Sequence, residues 1–129
     1  MAHKRTNPER LHKPLNYYHS VEVDAGCKTI YLAGQTAVKS DGTTPSGIKA
    51  QAEIVFENLQ TVLSESGYKL EDVVFMKSFL VNRADRDGYQ EVRARIWGEI
   101  KPASTFLIVS GLAKPEYLLE VECVAAKWA

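Results

Sequence analysis

The sequence predicts an α+β fold in which a single sheet carries two helices on one face. Three observations lead there. Two stretches repeat apolar residues every three or four positions, as amphipathic helices do. The other apolar segments are short and β-prone, and the elements run in the order β-β-α-β-α-β-β. The chain has 129 residues with 45% hydrophobic and 25% charged, enough for one continuous core and outside the disordered range.

Residues 1–16 are polar and basic, with Pro8 and Pro14, and read as an arm leading into one domain over 17–129. Lys4, Arg5, Arg10 and Lys13 in that arm read as a solvated tail, because Glu9 dilutes them and no aromatic residue interleaves. Ser20-Val21-Glu22-Val23 alternates polar and apolar residues as a half-buried strand does. Asp24-Ala25-Gly26 is a turn signal, and Thr29-Ile30-Tyr31-Leu32 follows as a second strand, so the pair reads as a hairpin. After the loop KSDGTTPSG comes the clearest helix, with Ile48, Ala52, Val55, Leu59, Val62 and Leu63 on one stripe. Ser46 is placed to cap its start and Gly67 to end it in the left-handed conformation. VVFMKSFLV, residues 73–81, suits a central strand covered by helices on at least one face. A second helix spans about Arg86–Ile100, its apolar positions being Tyr89, Val92, Ile96, Trp97 and Ile100. STFLIV and YLLEVECVAAKW are the closing strands. One helical layer leaves the other sheet face bare, and so many β-branched residues there predict contact with another subunit.

Charge and composition exclude several functions. Lys+Arg and Asp+Glu are both 16, so no global field draws nucleic acid or an anionic membrane. No apolar run approaches the roughly 20 residues that span a bilayer, and the N-terminus lacks the apolar core of a signal peptide, so the expected location is the cytoplasm. Cys27 and Cys123 form no metal or redox motif and read as free thiols in a reducing compartment. His3, His12 and His19 match no local metal-binding spacing. Glu120 and Glu122 share a strand face, but no histidine stands near them, so neither a metal site nor a glycosidase pair is expected.

Five segments in order, over about residues 17–128, resemble the reactive-intermediate deaminase family, RidA/YjgF. IYLAGQ is similar to the family's strand ending in Ser-Gly-Gln, with Ala33 in the serine place. QAEIVFENLQTVLSESG carries Gln51 and Asn58. LEDVVFMKSFLVN matches the segment after the first helix, PAST stands where the family has Pro-Ala-Arg-Ser, and LLEVECVA resembles the closing Glu-x-Glu strand. The resemblance implies a chorismate-mutase-like homotrimer with small-molecule clefts between subunits. It also implies hydrolysis of imines and enamines such as 2-aminoacrylate to a 2-keto acid and ammonia, with no metal or organic cofactor.

That reaction sets requirements. A cation must hold the substrate carboxylate, and arginine does so best because its fork matches two oxygens. A carboxylate must position or deprotonate water. By resemblance Glu120 is the water-positioning group and Tyr17 the cleft tyrosine over the ligand. The family arginine is Ser104 here, which has neither fork nor charge. Phe106, where some members carry cysteine, makes the pocket more apolar, and Ala33 removes a hydroxyl donor. Arg93 is the candidate replacement cation. It falls inside the apolar stripe of the second helix, where many members have a pocket asparagine, and an arginine there is unusual unless paired or facing a ligand. The competing reading is an ion pair, with Glu91 or a neighbouring subunit, or a snorkelling side chain. Two functions follow: an imine/enamine deaminase of altered substrate, or a trimer that binds a small metabolite without turnover. An RNA-cleaving or interaction role ranks below both.

Overall fold

The computed structural model describes residues 3–129. The first two residues of the expected arm lie outside these. Six strands and two long helices occur in the order β1 (His3–Thr6), β2 (Ser20–Val23), β3 (Cys27–Gln35), α1 (Ile48–Glu65), β4 (Val73–Leu80), α2 (Arg86–Trp97), β5 (Ala103–Ile108) and β6 (Leu119–Trp128). The main sheet has the order β3-β6-β4-β5, with β4 and β5 parallel and the other pairs antiparallel.

Period-2 alternation fixes which side of this sheet is covered. Past a register shift between Val73 and Phe75, Met76, Ser78 and Leu80 of β4 are buried, and on β6 so are Leu119, Val121, Cys123 and Ala125. These side chains meet α1, which buries Ala52, Val55, Phe56, Leu59 and Leu63, and α2, which buries Tyr89, Val92 and Trp97. Both helices therefore pack on one face, as the sequence predicts. Phe56 joins the core and Val62, at 37% exposure, falls at the edge of the stripe. Phe56 also links the helices, its ring centroid lying 5.8 Å from those of both Tyr89 and Trp97. The other sheet face carries Tyr31, Phe75, Phe79, Thr105 and Leu107 with no layer over it, and Tyr31 is 78% exposed.

Three local expectations are corrected. The hairpin of 20–23 with 29–32 does not form. β2 pairs with β1 in a separate two-stranded sheet, while β3 pairs with β6 from Cys27↔Trp128 to Leu32↔Cys123. The ten-residue β6 offers β3 a longer ladder than the four residues of β2 can. The basic arm thus supplies a strand, and the His3 imidazole Nε2 is 2.8 Å from the Ala126 carbonyl oxygen. Ser46 makes no cap. Gly47 stands at the N-terminus of α1 with φ 86°, a left-handed conformation open to glycine, and its carbonyl accepts the first helical bond from the Gln51 N–H. Finally, α2 stops at Trp97 because Gly98 (φ 54°) breaks it, so Ile100 packs from outside the helix.

Candidate functional site

A cavity of about 940 Å³ opens between α2, the start of β5 and the segment leading into β2. Tyr17, Arg93, Ser104 and Phe106 all line it. Each is placed by a different part of the chain. Ser104 and Phe106 share the helix-facing side of β5, in register with Met76 and Ser78 of β4. The Phe106 ring packs 5.7 Å from that of Tyr89 on α2. Tyr17 belongs to a wall pinned at two points: the Tyr18 N–H donates to the Pro102 carbonyl (3.1 Å), and the Asn16 Nδ2 donates to Gln90 Oε1 (2.9 Å).

Arg93 is 3% exposed, although it is charged. Its Nη2 donates to the Asn16 carbonyl at 3.0 Å. It forms an ion pair with no carboxylate among the described residues, and Glu91, the candidate partner, pairs with Lys49 at 2.8 Å instead. Burial pushes the guanidinium below its ordinary pKa, with the nearby Tyr89 offsetting part of the effect. The Tyr89 phenol is itself pushed up by burial, the Arg93 charge and the Ser78 hydroxyl working against that shift. A guanidinium still stays protonated in such a place. The cavity therefore has a buried positive charge that lacks an anion.

Glu120 and Ala33 are not in this cavity. Glu120 of β6 pairs in register with Phe79 of β4, so it occupies the uncovered face of the sheet, opposite Ser104 and Phe106. Ala33 is exposed at a bulge between Leu32 and Gln35, beside Gly34. A Cβ built on Gly34 would collide with Glu120 Oε2, so the carboxylate lies directly on the glycine backbone. Gly34→Ala should displace this flexible carboxylate and leave the fold intact. The expected result is a thermal melt within a few degrees of wild type but a tenfold or larger drop in any Glu120-dependent rate. An unchanged rate would show that the carboxylate position is immaterial.

A family model described as Endoribonuclease L-PSP matches residues 9–127. The chain belongs to this family, the RidA/YjgF proteins. It is 35% identical over 121 residues to a RutC family protein of Pyrococcus horikoshii, covering 92% of this chain and 94% of that protein. It is 31% identical over 120 residues to the 3-aminoacrylate deaminase RutC of Acinetobacter baylyi, covering 92% and 93%. A Rid family protein of unknown function from Yersinia pestis superposes with a TM-score of 0.87 at 32% identity, over 98% of this chain and 100% of that one.

Within this RidA/YjgF chain, sequence reasoning missed the cavity's Asn16, Arg86, Gln90 and Lys101. Arg86 and Gln90 precede Arg93 by seven and three residues, so the α2 periodicity that singles out Arg93 could also have found them. Asn16 has no such signal, because only the folded wall brings it to Arg93. The two family amides are structural: the Asn58 Nδ2 donates to the Val38 carbonyl at 3.0 Å, and Gln51 is buried among loop backbones. Burial raises the Cys123 thiol to about 12, which keeps it an unreactive core residue. Among the described residues no helix is long and apolar enough to cross a membrane, and no cluster is fit to hold a metal ion.

Proposed function

We propose that the protein hydrolyses 2-imino acids and their enamine tautomers to 2-keto acids and ammonia, in clefts between the subunits of a homotrimer. The buried guanidinium of Arg93, without a carboxylate partner, is the observation that carries this reading. Removing a charge from water costs several kcal/mol unless an opposite charge returns. A substrate carboxylate lying across the Arg93 fork supplies one and is fixed by two oxygens. Ser104 adds a hydroxyl, while Tyr17 and Phe106 give the walls for the carbon skeleton.

Hydrolysis then needs a water delivered to the C=N carbon. Glu120 is the proposed base; because it lies on the other sheet face, in this reading it acts from a second copy of the chain. Its carboxylate takes a proton as the water oxygen bonds to carbon. With the imine nitrogen protonated at the outset, Glu120 returns that proton to the nitrogen of the resulting carbinolamine; the C–N bond then breaks with its electron pair going to nitrogen while the hydroxyl proton passes back to Glu120 and the C=O forms, so ammonia leaves the keto acid. The bare sheet face, with Tyr31, Phe79 and Leu107, supplies the surface such copies would share.

The test is hydrolysis of freshly generated 2-aminoacrylate, with light scattering for a mass near three times the 14.4 kDa chain. The expected result is a rate above the uncatalysed one that Glu120→Gln abolishes. A silent wild type that gains activity as Ser104→Arg would instead support a metabolite-binding trimer, the reading favoured by the serine in the arginine place. A monomer would remove the shared cleft altogether. The balanced net charge favours a small anion over RNA.

A further inference from the structure

The cavity is larger and more cationic than a three-carbon imino acid requires. Besides Arg93 it is lined by Arg86, Lys13 and Lys101, against a single carboxylate, Glu99. Glu99 already pairs with Lys101 at 3.7 Å. Arg86 and Arg93 lie seven residues apart, on one stripe of α2 and about 10 Å apart along the helix axis. Gln90 stands between them, its amide oxygen held by Asn16, so the stripe offers two guanidinium forks joined by a fixed polar surface. Arg86 contacts Asp87 only at 3.8 Å, and that carboxylate is almost wholly solvated, so the Arg86 fork is free to turn inward. Phe106 of β5 adds an apolar surface to the lining.

Building on the reading of Arg93 as carboxylate anchor, we infer that the preferred ligand is dianionic: a 2-imino or 2-keto acid with a second carboxylate on a short carbon chain. Arg93 holds the carboxylate next to the reacting carbon, and Arg86 holds the distal one. The chain between them runs past Gln90 and over Phe106. The two arginines thus divide the work between anchoring and selection. A monocarboxylate fills only the inner half and leaves the outer fork in water.

Calorimetric titration of the intact protein with 2-oxoglutarate and 2-oxobutyrate tests this without requiring turnover. The expected result is binding of 2-oxoglutarate at least tenfold tighter than 2-oxobutyrate. In Arg86→Gln the preference should vanish while 2-oxobutyrate affinity stays within twofold, which a general loss of fold would not produce. Equal affinities in the wild type overturn the inference, and a preference that survives Arg86→Gln overturns the assignment to Arg86. If neither acid binds, or if Arg93→Leu leaves 2-oxobutyrate affinity unchanged, the carboxylate-anchor reading itself fails, and the dianion inference with it.

Discussion

Arg93→Leu is expected to weaken binding of small 2-keto acids, and hydrolysis of the matching imines, on the order of 10²–10³-fold. Stability should move by less than about 1 kcal/mol in either direction. The two halves of this expectation have one cause. A buried guanidinium with no carboxylate partner contributes little to folding, because its desolvation cost is not returned within the chain. The same unreturned cost makes it an anion receptor, since a ligand that brings the missing charge recovers it. Truncating one member of a buried charge pair costs roughly 2–5 kcal/mol of binding, and each 1.4 kcal/mol is a factor of ten. Leucine fills the apolar stripe between Tyr89 and Trp97 without strain. Its structural losses are the bond to the Asn16 carbonyl and the interaction with the Tyr89 phenol.

Arg93→Lys separates charge from shape. Lysine keeps the cation but presents a single ammonium in place of a planar fork. If the fork matters, Arg93→Lys loses most of the affinity despite keeping the charge. Equal losses for leucine and lysine would mean that geometry dominates, whereas a fully active Arg93→Lys would mean that charge alone suffices. An Arg93→Leu protein that binds and turns over normally would reduce Arg93 to a wall residue and return attention to Ser104.

Much of the fold was legible because it rests on short-range periodicity. The stripes of α1 and α2, the 73–80 strand and the alternation of Leu119, Val121 and Cys123 against Glu120 and Glu122 are local patterns that burial makes visible. Strand partnership was not legible in the same way. Ser20–Val23 reads equally well as a partner of β3 or of β1, and the choice falls to a ten-residue strand nearly a hundred positions away. Two helix limits moved where a glycine decides: α1 starts from Gly47 rather than a Ser46 cap, and α2 stops at Trp97 before Gly98, while Gly67 closes α1 with positive φ as expected. Tyr17, Arg93, Ser104 and Phe106 come together, yet Glu120 and Ala33 lie across the sheet from them. A linear pattern records which residues alternate along a strand, but not on which side of the sheet a cavity opens. Asn16 shows the same limit: its carbonyl meets Arg93 from 77 residues away.

Gln51→Leu is expected to destabilise the protein by about 3 kcal/mol, a large share of the 5–15 kcal/mol that holds a typical domain together. Leucine nearly matches the side chain in size, so packing changes little. Hydrogen bonding changes completely. The Gln51 amide is 1% exposed and donates to the Pro45 carbonyl at 3.0 Å and the Glu116 carbonyl at 2.8 Å. Its oxygen accepts the Leu118 N–H at 2.9 Å. Removing it strands one donor and two acceptors, each costing about 1–3 kcal/mol where water cannot reach. For a chain of this size the melting temperature should fall by roughly 10 °C. Gln51→Glu should be worse, because an unpaired carboxylate would face two carbonyl oxygens. A fall under about 1 kcal/mol in Gln51→Leu would mean that water replaces the amide. The site should feel the change as well. Gln51 ties the loop before β6 to α1 one residue ahead of Leu119, and Glu120 follows directly. At temperatures where the variant is still folded, any Glu120-dependent rate should drop together with stability, as slack in the clamp passes along the strand to the carboxylate over Gly34.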